Sequence, residues 1–230
     1  MATNYGSKTK TALSFAVERD NLLQCYDAFE STGSTHWPDV VGTYSGSRAE
    51  GNPVLNTTEG VGSNKIKYFT FDGAGDYFHF EQYGQPNICS LSTWIRINDT
   101  NAEETLCSHI SGGPVGTYYY IMSTGYMAFG YYNAPWTTIE GTGSVVDDNV
   151  WHHCVWARSG TNHRFYVDGS LDTNLTMDVA MGGTINTIGS RWSGGFQFTG
   201  DIAHFSMYSV QLSATQVSDM YEAQRHRFGV

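Results

Sequence analysis

The chain has 230 residues, 40% of them hydrophobic and only 15% charged, which provides for a substantial core and excludes a disordered polymer. Its net charge of −10, from 22 acidic against 12 basic residues, excludes a general affinity for nucleic acid, because such affinity rests on Lys and Arg neutralising phosphates. The 26 Gly, 15 Tyr, 12 Phe and 6 Trp favour strands joined by tight turns, so one large all-β domain is expected.

Residues 1–20 read as an extended N-terminal arm, polar, with Lys8 and Lys10 and only a short apolar patch at Leu13–Val17. The arm holds no apolar run of the length a secretory leader needs, and no later stretch is apolar enough to span a bilayer. Synthesis in a cytoplasm is the expectation. From Asn21 to Val230 short strand-like runs alternate with Gly, Asn, Asp and Ser turns, the pattern of a sandwich. Tyr68–Phe71 predicts a strand, Asp72–Asp76 a turn and Tyr77–Phe80 the return strand. Ser90–Ile97 places Leu91, Thr93, Ile95 and Ile97 on one face and Trp94 on the other.

Trp151–Arg158 and Arg164–Val167 predict two further strands, and Asp168-Gly169 after them is a hairpin signal, since a type I′ turn needs positive φ at both positions. Ile202–Tyr208 makes a late strand. A helix follows: Ser213 and Gln216 form a capping box, Leu212 and Val217 a hydrophobic staple, and Val217, Met220 and Tyr221 an apolar stripe. Arg225, His226 and Arg227 then lie where positive charge favours a helix C-terminus. The four cysteines, Cys25, Cys89, Cys107 and Cys154, show no metal-binding spacing. Cys154 reads as a buried thiol, and a Cys89–Cys107 bridge is the less favoured option in a reducing compartment.

Taken in order, the segments 21–27, 33–39, 69–78, 90–97, 149–160, 164–169, 187–192 and 200–217 resemble laminin-G-like, concanavalin-A-like lectin/glucanase domains. The resemblance covers nearly everything after Asn21 and implies a two-sheet antiparallel jelly-roll-like sandwich with a short C-terminal helix. Gly33-Ser34-Thr35-His36-Trp37-Pro38-Asp39 and the tail Arg225–Gly229 are similar to copies of the domain in bacteriophage structural proteins. That subtype implies a capsid decoration, fibre or tail appendage, assembled in host cytoplasm as a homo-oligomer, attached to other virion proteins through the arm and touching cell-surface glycans. A free carbohydrate-binding module is the alternative, and a glycan hydrolase stands third.

Hydrolysis needs two carboxylates flanking the scissile bond. The glucanase branch of the resembling family carries them at alternate positions of one strand, a pattern absent here. Glu103-Glu104 are adjacent and point apart, and Asp147-Asp148 read as a turn. His152-His153 are adjacent on a strand and face opposite sides, which does not suit one metal ion. For Ca²⁺, Asp72, Asp76 and Asp201 are the available carboxylates, but Ala203-His204 replaces an acidic pair of the resembling domains, so turn chemistry is the favoured reading. Sugar binding asks for ring faces beside amide or carboxylate partners. Tyr131, Tyr132, Asn133 and Trp136, around a Pro-containing turn, and Trp192, beside a glycine loop, are the candidate glycan-binding residues.

Overall fold

A computed structural model of the chain describes residues 20–41, 45–59, 65–84, 88–98, 102–108, 116–132, 136–177, 184–191 and 196–230. The proposed arm therefore lies outside the described residues, apart from Asp20 at its end. In chain order the strands begin with β1 (Leu22–Asp27), β2 (His36–Pro38), β3 (Ser45–Glu50), β4 (Val54–Glu59), β5 (Lys65–Asp72), β6 (Tyr77–Gly84), β7 (Ile88–Arg96) and β8 (Glu104–Ser108). They continue with β9 (Gly116–Ile121), β10 (Met127–Tyr132), β11 (Trp136–Glu140), β12 (His152–Ser159), β13 (Asn162–Val167), β14 (Ser170–Thr176), β15 (Thr184–Ile188) and β16 (Thr199–Tyr208). One helix, α1 (Ala214–Gln224), follows.

Two antiparallel sheets result. The first runs β14-β13-β12-β7-β16-β5-β4, with β1 also paired to β16; the second runs β11-β10-β9-β8-β15-β6-β3-β2. Alternation along each strand sends one set of side chains between the sheets, as the period of two requires. On β7, Leu91 and Ile95, with Ile97 just beyond, enter that core, while Trp94 turns to the outer side. Trp37, Phe69 and Phe78 meet at the centre with ring centroids 4.8–5.3 Å apart. Rings of this size each contribute about 1.5–3 kcal/mol when fully buried, so the aromatic-rich composition is accounted for by the core.

The predicted turns form. At Asp72–Asp76, Asp72 accepts a hydrogen bond from the Ala74 amide at 2.7 Å, and Asp76 accepts from Asp72 at 3.0 Å. Asp168 and Gly169 have φ of 48° and 77°, the left-handed values that a I′ hairpin demands. The segment 33–39 is also structural: Ser34 Oγ accepts from the Leu55 amide, Trp37 is fully buried, and Asp39 accepts from the Cys25 and Val41 amides. The four cysteines are free and buried, so Cys89 and Cys107 do not pair. Burial pushes both thiols up from their ordinary value.

Helix α1 lies over the outer face of the first sheet. Ser213 and Gln216 form the expected capping box. Leu212, Val217 and Met220 pack on Val155, Ala157 and Tyr166. The basic tail follows the helix as expected, with Arg225 at its C-cap. Arg225–Arg227 form a 3-10 turn, and within it Arg227 is buried against Asp27 at 3.0 and 3.2 Å. A helix dipole is worth less than a direct charge-assisted pair in low dielectric, and here the pair decides the conformation. Beside it Phe228 stacks on Trp94 at 4.0 Å.

Candidate functional site

The outer face of the second sheet differs from that of the first. Here β9 to β11 direct Tyr118, Tyr120, Met122, Ala128 and Trp136 away from the core as a separate apolar cluster. The reason is register: Tyr119, Phe129 and Tyr131 take the inward positions, so Tyr118, Tyr120 and Ala128 must take the outward ones. Gly130 sits directly beneath Trp136; a Cβ there would lie 2.5 Å from the indole ring. Glycine at this position leaves the space that the indole occupies.

Arg191, just after β15, closes the cluster. Its guanidinium carbon lies 4.4 Å from the ring centres of both Tyr118 and Trp136, and 4.7 Å from that of Phe196. Phe196 is 53% exposed, so the group meets solvent through its ring. At the other side the Tyr120 hydroxyl donates to Thr138 Oγ1 at 3.2 Å. Burial, with the Glu103 and Glu140 carboxylates adding to it against Thr138 and Arg191, raises the Tyr120 hydroxyl above its ordinary value. Tyr118 and Tyr120 are themselves 5% and 4% exposed, so the face presents to solvent the Phe196 ring and the half-buried Trp136, Thr138 and Arg191 side chains.

Of the five residues expected to meet a ligand, Trp136 is on this face, half-buried on the edge strand β11. Tyr131 is not: it is 2% exposed and belongs to the core between the sheets. A single-residue alternation decides this, and spacing around the Pro turn could not. Tyr132 ends β10 opposite Trp136 and Gly116. Asn133 and Trp192 lie outside the described residues. Phe196 and Arg191 join Trp136 on this face without a signal in the sequence, whereas Tyr118-Tyr119-Tyr120 reads as a strand whose rings favour packing, its i, i+2 spacing placing Tyr118 and Tyr120 on one face.

Glu104, Asp148 and Asp201, among the carboxylates weighed for catalysis or Ca²⁺, are engaged in structural bonds. Glu104 is buried and accepts from the Thr199 amide, while Asp148 accepts from Val150 and from His152 at 3.1 Å. Asp201 binds Arg96 at 2.6 Å and Thr70. Among the described residues no group of three or more His, Cys, Asp or Glu side chains is placed to hold a metal ion. The paired histidines do face opposite ways. His152 bonds Asp168 at 2.8 Å, and His153 is fully buried, bonded to Ser92 at 2.8 Å and stacked on Trp94. No helix among the described residues is long and apolar enough to cross a membrane.

Comparison with solved structures finds the same architecture in several binding domains. The ligand-binding domain of botulinum neurotoxin serotype D, solved with N-acetylneuraminic acid, superposes with a TM-score of 0.65 at 16% identity, over 92% of this chain and 53% of that one. Domain 4 of AbnA, an extracellular arabinanase from Geobacillus stearothermophilus solved with arabinotriose, gives 0.65 at 17% identity, over 87% of this chain and 98% of that domain. A structure of botulinum neurotoxin type C, whose cell entry depends on two ganglioside molecules, gives 0.63 at 13% identity, over 89% and 51%. The chain spans about half the length of the toxin chains it matches. At these identities the likeness is one of fold. No curated protein matches in sequence. A family model described as concanavalin A-like lectin/glucanases superfamily, of the laminin G type, matches residues 72–218, well over half of the chain. The match runs from the turn after β5 into α1 and includes every strand of the outer aromatic face. The chain belongs to the concanavalin A-like lectin/glucanases superfamily.

Proposed function

We propose that this domain is a non-catalytic carbohydrate-binding module and that the outer face of β9–β11 receives the sugar. The observation that carries the reading is the exposed Phe196 ring and half-buried Trp136 ring around Arg191, backed by the buried Tyr118 and beside the Thr138 hydroxyl. Sugars bind by laying C–H faces on aromatic rings while hydroxyls exchange hydrogen bonds with polar side chains, and both kinds of group are present. Family membership, and sugar ligands in two structures of the same fold, support the reading. The non-catalytic part rests on the engagement of Glu104, Asp148 and Asp201 in structural bonds. A glycan array probed with the purified chain and with Trp136→Ala tests it. The variant is expected to lose most of the signal while melting within a few degrees of the parent. Unchanged array signals would refute the site.

The finer reading is that the module is carried on a bacteriophage virion, as a homo-oligomeric decoration, fibre or tail subunit held by its arm. Its support is the resemblance of residues 33–39 and 225–229 to phage copies of the domain. Trp37, Asp39 and Arg227 in these motifs build the fold, so the support is one of lineage. Deleting residues 1–20 would abolish incorporation into particles on this reading, and a free lectin would be indifferent to the deletion.

A further inference from the structure

We propose that the outer face selects anionic sugars, and that Arg191 is the residue that reads their carboxylate or sulfate group. The proposal rests on the carbohydrate reading above and adds the ligand's charge and its orientation.

Arg191 is held by ring faces alone. Tyr118 and Trp136 lie 4.4 Å and Phe196 4.7 Å from its guanidinium carbon. Ring faces attract the guanidinium charge without accepting conventional hydrogen bonds, so its N–H donors remain available to a ligand. Among the described residues those donors make no hydrogen bond and no ion pair. Three other arginines are met by carboxylates: Arg96 by Asp201, Arg225 by Glu222 and Arg227 by Asp27. In a chain with 22 acidic and 12 basic residues, an arginine ordered by three rings without a carboxylate is set apart. Ordering is the costly step in making a bidentate Arg–anion pair, and here the rings have already imposed it.

The surroundings also orient the ligand. Glu103 and Glu140 act on the Tyr120 end of the cluster, and Glu140 is tied to Thr124 at 2.7 Å. Their field repels an anion there. The charged group therefore sits at the Arg191–Phe196 end, with neutral hydroxyls toward Tyr120 and Thr138.

The test is calorimetric titration of the full chain with lactose, sialyllactose and a sulfated lactose, using wild type, Arg191→Gln, Arg191→Lys and Trp136→Ala. Wild type is expected to prefer an anionic form over lactose. Arg191→Gln should lose about 10–100-fold for that form, the scale of one charge-assisted bidentate contact, and stay within about threefold for lactose. Arg191→Lys keeps the charge without the fork and should fall between, which separates lost recognition from lost folding. A preference for sialyllactose assigns a carboxylate to Arg191, and one for the sulfated sugar assigns a sulfate. Equal binding of anionic and neutral sugars, or an Arg191→Gln protein that keeps the preference, overturns the inference. If Trp136→Ala still abolishes lactose binding in that case, the carbohydrate reading survives; if no sugar binds, both fall.

Discussion

Lowering the pH from 7 to 5 should destabilise the fold through two buried histidines, His153 and His163, by comparable amounts, and His153 shows how. Its ring is fully buried, bonded through Nε2 to Ser92 and packed against Trp94 and Tyr221. Burial, aided by the neighbouring His204, lowers its pKa from 6.5 to about 3. The unfolded chain thus takes up a proton below pH 6.5 that the folded chain refuses, and stability present above that value drains away as the pH falls. At pH 5 the loss is about 1.4 kcal/mol for each of the 1.5 pH units below 6.5, or about 2 kcal/mol. For a domain of this size that is a fall of about 4–8 °C in melting temperature. His163, pushed by burial and Arg158 to about 4, acts in the same direction. His152 opposes both: despite partial burial, Asp168 and Asp148 raise it, so its contribution is present at low pH and is lost as the pH rises through its folded value. Urea denaturation of wild type and His153→Gln between pH 5 and 7 measures the slope. The variant should be less stable at pH 7, yet lose about 2 kcal/mol less than wild type between pH 7 and 5. Identical slopes for the two proteins would refute the assignment of the buried neutral imidazole.

Removing Asp27 leaves Arg227 buried without its counter-charge, so Asp27→Ala should cost about 3–5 kcal/mol and free the C-terminal tail, read by urea denaturation and by proteolysis after Arg225. Burial opposes ionisation of Asp27, but His204 and Arg227 outweigh it and hold the carboxyl well below the usual range, so its contribution is lost only below about pH 4. Gly130→Ala introduces a Cβ 2.5 Å from the Trp136 ring on an edge strand, which must lift the indole. It should cost about 1–3 kcal/mol and weaken glycan binding, with a changed tryptophan fluorescence spectrum as the direct readout.

Strand alternation, turn chemistry and capping are local properties, and they could be read directly. Ser90–Ile97 divided its faces as alternation required, Asp168-Gly169 turned the chain, and Ser213-x-x-Gln216 began the helix. The ordered motifs pointed to the family, which the match over residues 72–218 bears out. The candidate site was legible only in part. Trp136 lies on the outer face, but Tyr131, five residues away, lies in the core.

What the sequence determined by itself is the class of structure: two faces per strand, short strands, tight turns and one capped helix, each set within a few residues along the chain. What only the tertiary structure decided is which distant groups meet. Asp27 and Arg227 are 200 positions apart and become a buried pair because β1 and the C-terminal turn close on the same sheet face. Arg191 finds Tyr118, Trp136 and Phe196 because β15 lies two strands from β9 in the second sheet. Sheet order is set by which surfaces bury best against one another over the whole domain, and that sum has no local signature in the chain.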